Sequence, residues 1–128
     1  MTPDQPPPRS WTFDLPLTKP LTLNDRGHWR PRARATRAVR EAAALQARAK
    51  RIPAMSRIAV EVHYAPRDSR RDAINLAATT KPVEDGLVDA RVVPDDTAEW
   101  VVPTHGVIDP PTRGAGRVYV IVREVLPS

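Results

Sequence analysis

Asp72, Asp95 and Asp96 stand at the two ends of one stretch, Arg70 to Thr97, with Arg70 and Arg71 directly before the first aspartate. Carboxylates are hard oxygen donors that suit Mg²⁺, and arginine's planar fork binds phosphate through paired N–H groups. Aspartates beside arginines therefore suit a divalent cation placed next to a phosphodiester. The same residues also fit plainer roles. Asp72 before Ala-Ile-Asn-Leu is a helix N-cap, and Asp95-Asp96-Thr97 after Pro94 is a turn.

The surrounding pattern supplies elements to hold these groups. Met1 to Ser10 has four prolines and no periodicity, which reads as a mobile leader, with the domain running from residue 11 to 126. Trp11, Phe13 and Leu15 alternate with polar neighbours in a first strand. Lys19 to Arg32 reads as a loop rich in anion-binding side chains, followed by an alanine-rich helix from Ala33 to Lys50. Its expected buried stripe is Ala38, Val39, Ala42, Leu45 and Ala49, with Arg34, Arg37, Arg40 and Glu41 on another side. Ile58, Val60, Val62 and Tyr64 alternate with Ala59, Glu61 and His63 in a half-buried strand.

Ala73 to Ala90 reads as a helix interrupted near Pro82, because proline lacks the N–H and its ring crowds the preceding turn. Leu76, Val83 and Leu87 share its apolar side. Glu99 to Pro103 is expected to be a short strand and His105 to Gly116 a long loop. The run Val118 to Val122 is apolar throughout, so it is expected to be a central strand covered on both faces. The fold expected is α/β (α+β), a single domain with a mixed four-stranded sheet flanked by two main helices in the order β-α-β-α-β-β.

Composition narrows the chemistry. Twenty Lys and Arg against 15 Asp and Glu give a net charge of +5, which favours a polyanionic partner such as nucleic acid. Only Lys19, Lys50 and Lys81 are lysines. Absence of cysteine excludes disulfides, thiolate zinc sites and a cysteine nucleophile. His28, His63 and His105 have no ligand-spaced partners, which argues against zinc. No apolar run reaches a membrane span, so a soluble, cytoplasmic protein with no membrane partner is expected.

Arg70-Arg71-Asp72, Asn75-Leu76, Asp85-Gly86-Leu87 and Asp95-Asp96-Thr97 resemble the RusA-like family of Holliday-junction resolvases, especially the phage-type members. Leu23-Asn24-Asp25-Arg26 and His28-Trp29-Arg30 resemble the segment before that family's first long helix. The resemblance covers most of the chain and implies a homodimer that introduces paired nicks across a four-way DNA junction using Mg²⁺ or Mn²⁺. It implies Asp72 and Asp96 as catalytic metal ligands, with Asp95 beside the second and Asn75 as a matching neighbour.

Where the family has a second aspartate, this chain has Ile74, whose alkyl group cannot coordinate a cation. The family's helix lysine is replaced by Ala78, and Lys81, nearly one helical turn on, is the candidate substitute. Arg26, Arg30, Arg32, Arg34, Arg37, Arg70 and Arg71 are the expected DNA contacts. Ile74 also leaves open a second reading, a branched-DNA-binding homologue that cleaves weakly or not at all. A third is a generic basic protein whose acidic residues only cap and turn.

Overall fold

The computed structural model describes residues 6–21, 29–68 and 75–127, the side chains of Trp29 and Arg30 excepted. Arg26, Arg70, Arg71, Asp72, Ile74 and the side chain of Arg30 therefore lie outside the described residues. The elements are β1 (Ser10–Asp14), α1 (Trp29–Ala49), β2 (Ile58–Ala65), α2 (Ala77–Asp89), β3 (Val101–Val102), β4 (Val107–Ile108) and β5 (Arg117–Glu124). The expected order holds with one addition. The 105–116 loop contains β4, so the mixed sheet has five strands and not four.

In the sheet, β5 lies between β1 and β2 and runs antiparallel to both, while β3 and β4 both pair parallel to β2 along its other edge. The central pairing sets Val60 opposite Val122 and Val62 opposite Val120. All four are fully buried, as are Ile58 and Val118. Each such side chain contributes about 1.5–3 kcal/mol by leaving water. Both helices lie over this one face: Val39, Ala43 and Ala47 from α1 and Val83 and Leu87 from α2 join the core.

Several expectations are corrected by the packing. Strand β5 is central but covered on one face only, because Arg117, Tyr119, Ile121 and Arg123 alternate outward. Helix α1 begins at Trp29, four residues early, taking in Pro31, whose missing N–H has no intrahelical partner in a first turn. Its buried edge is Val39, Ala43, Ala44 and Ala47, whereas Ala38, Leu45 and Ala49 point to solvent, Leu45 at 66% exposure. Alanine on every side of α1 leaves the apolar period ambiguous, and the contact with α2 decides it. A Cβ added to Gly86 would overlap Arg40 O and lie 2.8 Å from Ala43 Cβ, so the helices meet through their smallest residues.

Helix α2 runs unbroken through Pro82. The proline forfeits one backbone hydrogen bond near the helix start, and its ring is buried where α2 meets α1. Both helices end alike. Arg51 (φ 54°) and Arg91 (φ 62°) adopt the left-handed conformation, and the following Ile52 and Val92 donate their N–H groups to Ala47 O and Leu87 O. This is the Schellman ending, with the buried Ile52 and Val92 as its apolar partners and arginine where glycine is usual. The leader's last residues join the sheet: Ser10 is in β1, and Arg9 pairs with Glu124 at 2.8 Å.

Candidate functional site

Sequence reasoning singled out charged residues far apart in the chain, and the N-terminal half of α2 collects several of them. The N-cap is Leu76, not Asp72, and Asn75 Oδ1 accepts the Ala77 N–H at 2.9 Å. One turn further, the Lys81 ammonium meets Asp96 Oδ2 in direct contact and Asp85 Oδ1 at 3.4 Å. Lys81 and Asp85 are four residues apart on one helix, the spacing at which side chains face each other. Asp96 arrives from the bent segment after α2, with Asp95 Oδ1 accepting its N–H at 2.8 Å. The turn expected at Asp95-Asp96-Thr97 comes later: Thr97 O accepts the N–H groups of Trp100 and Val101, while Asp95 and Asp96 lie in irregular chain before it, from which Asp96 presents its carboxylate to Lys81.

The Lys81 side chain is 61% exposed and that of Asp96 only 21%. An ion pair this open adds little stability, at most about 1 kcal/mol. Its importance is positional, since it fixes a cation at a carboxylate of the expected donor set. Beside it, Glu84 is half-buried. Burial raises its carboxyl above the usual range, Lys81 opposes the rise and Asp85 adds to it.

A cleft of about 400 Å³ opens between α1 and α2, lined by Arg32, Ala33, Thr36, Arg37, Arg40, Pro82 and Asp85. Asp85 belongs to both places, lining the cleft and holding Lys81. Arg40 is committed elsewhere, forming a two-pronged pair with Asp89 at 2.7 and 2.9 Å. That hydrogen bonding, together with the charge of Asp89, raises the guanidinium above its ordinary value; the pair lowers Asp89 below the usual carboxylate range. Arg34 and Arg37 are exposed on α1. Of the arginines expected at DNA, Arg32 and Arg37 are therefore brought to the cleft, and Arg34 lies on the same helix without lining it.

Leu21, ahead of α1 in the chain, also meets α2. Leu21 donates its N–H to the hydroxyl of the fully buried Thr79 at 2.9 Å. Thr79 stands two residues before Lys81, and α1 restarts beside Pro82 and Asp85.

Among the described residues no group of three or more His, Asp or Glu is placed to hold a metal. Asp95 and Asp96 supply two adjacent carboxylates of the expected donor set, and Asp72 lies outside the described residues. No helix among them is long and apolar enough to cross a membrane. Sequence reasoning quoted Asp85 in a motif but gave it no role at this site, although its spacing from Lys81 signalled one. It also missed a second polar cluster around His63, whose partner Asp109 is 46 residues away and was signalled by nothing local. No protein-family model matches the chain, and no curated protein matches it.

Proposed function

We propose that the protein is a metal-dependent, structure-selective DNA endonuclease of the RusA-like resolvase type, acting as a homodimer on four-way junctions. The observation that carries this reading is the Lys81–Asp96 contact, which joins the candidate substitute for the family's lysine to a motif aspartate 15 positions on, beside a cleft lined by arginines. Asp72, Asp96 and Asp95 would hold Mg²⁺ or Mn²⁺. The oxygen donors of Asp95 and Asp96 fit such a cation, since Mg²⁺ keeps several waters and takes one or two protein carboxylates. When bound, the cation lowers the pKa of a water and polarises the phosphate.

The chain's own groups do the rest. Lys81 offsets negative charge at the phosphate that the cleft receives, and Asp85 keeps its ammonium at the cleft margin. Arg32, Arg34 and Arg37, with Arg26, Arg30, Arg70 and Arg71, neutralise the DNA backbone. Each phosphate contact contributes about 0.9 to the slope of log affinity against log salt.

Ile74 supports a second reading, a branched-DNA-binding homologue that has lost cleavage. Both are tested by incubating a labelled four-way junction, a linear duplex and a single-stranded RNA with the protein and its Asp96→Asn variant in Mg²⁺ and in Mn²⁺. Paired nicks in the junction alone, absent from the variant, support the nuclease. Junction-selective binding without nicks supports the second reading, and equal affinity for all three nucleic acids removes both.

A further inference from the structure

The face of the sheet turned away from the helices carries a polar cluster that the proposed cleavage does not use. His63 on β2 is 8% exposed, and both of its ring nitrogens face carboxylates: Nε2 lies 2.5 Å from Glu61 Oε1 and Nδ1 lies 3.0 Å from Asp109 Oδ1. Tyr119 stacks on the ring with centroids 4.7 Å apart; its hydroxyl lies 3.2 Å from Nδ1 and donates to Asp109 Oδ2. Arg117 lies 4.2 Å over Tyr119 and donates to Asp14 Oδ1 at 2.6 Å, and Arg123 stands 3.6 Å from Glu61.

The charged groups around His63 among the described residues are thus Glu61 on its own strand, Asp14 on β1, Arg117 and Arg123 on β5, and Asp109 after β4. Three carboxylates meet two guanidiniums, so the cluster balances when the imidazole carries a positive charge. The hydrogen bonding makes the same demand. The Tyr119 hydroxyl has one hydrogen and gives it to Asp109 Oδ2, so a neutral imidazole, with one N–H, leaves one carboxylate facing a lone pair, whereas an imidazolium donates to both.

Asp109 belongs to a short-stranded edge of the sheet, where the Thr104 hydroxyl donates to Val60 O. Strands β3 and β4 are two residues each, and beyond them the segment is tied by the N–H groups of Asp109 and Thr112, which donate to Tyr64 O and Pro66 O at 2.8 Å each. The same segment is the seat of Leu76, because a Cβ on Gly106 would overlap the Leu76 side chain. Leu76 is the α2 N-cap.

We infer that His63 is a protonation-dependent clasp: its imidazolium ties the segment 103–112 to the sheet, and loss of the ring's second proton loosens that segment and the seat it gives Leu76 at the start of α2. Asp109 does not set the opening on the neutral side. Burial pushes its carboxyl up, but hydrogen bonds from Tyr119 and His63 and the charges of His63 and Arg117 outweigh it, leaving it below the usual value. A carboxyl lowered on folding contributes stability that is present above its ordinary value and lost only as pH falls through the lowered one.

Amide hydrogen exchange by NMR tests the clasp, with protection compared between about pH 5.5 and pH 8, the interval in which an imidazole ordinarily changes charge. Protection of the Asp109 and Thr112 amides is expected to fall about tenfold or more across it, the effect of losing one charge-assisted hydrogen bond, while the β2–β5 ladder keeps its protection. In His63→Gln that pH dependence should vanish. Constant protection in the parent, or the same fall in His63→Gln, overturns the inference. Should His63→Gln fail to fold, ¹⁵N spectra of the parent's ring decide: two N–H groups at the lower pH and one at the higher are expected, and a ring with one N–H at both overturns the clasp.

Discussion

Lys81 faces two carboxylates, Asp85 and Asp96, and its charge is the smallest unit on which the proposed chemistry depends. Lys81→Met should lower junction cleavage by on the order of 10²-fold, as loss of one charge-stabilising group does. It should change stability by less than about 1 kcal/mol, because the pair is largely exposed. Turnover assays and urea denaturation check both, and unchanged cleavage with a large stability loss would make Lys81 structural. Glu84 gives a pH prediction of definite sign. Its carboxyl is raised on folding, mainly by burial, so the folded state holds the proton to higher pH and stability falls as pH rises above the ordinary carboxylate value. Glu84→Gln should therefore raise the thermal midpoint at pH 7 more than at pH 3; an equal shift at both would remove the cause. At this scale Lys81 and Asp96 were legible from residue type and order. His63 and Asp109 were not, because their contact depends on a parallel edge strand returning beside β2.

Elements were legible where sequence period and packing agree. Strand β2 reads plainly because Ile58, Val60, Val62 and Tyr64 alternate with more polar partners, and the helices cover that face. Helix α1 was legible as a helix but not in orientation, since its alanines fit any side and Gly86 selects the edge it meets. Two outcomes follow from this geometry. Gly86→Ala should destabilise by about 1–3 kcal/mol in urea titrations, because overlap with Arg40 O and Ala43 outweighs alanine's better helix propensity. A neutral or stabilising result would mean that the helices can separate at no cost. Arg51→Gly should stabilise by about 0.5–1 kcal/mol, by relieving a left-handed side-chain-bearing residue at the helix end. Unchanged stability would show that the arginine side chain offsets the strain.

Across the whole molecule, the fold brings two helices and the bent segment after α2 to one region. Arg34→Ala with Arg37→Ala should flatten the salt dependence of junction affinity by up to about 1.8 in the log–log slope, two phosphate contacts' worth. An unchanged slope in fluorescence anisotropy titrations would take both arginines out of the interface. Fold class was readable from the alternation of strand and helix patterns. The proposed donor set rests on residue type and motif order, since its members come from separate segments and Ile74 interrupts it. The decisive measurement is cleavage of a synthetic four-way junction by the parent protein beside its Ile74→Asp variant, in Mg²⁺ and separately in Mn²⁺. A metal-dependent resolvase predicts paired nicks by the parent and faster nicking by the variant, because a carboxylate at position 74 adds a ligand. If both proteins bind the junction and neither cuts it in either metal, the endonuclease assignment is wrong.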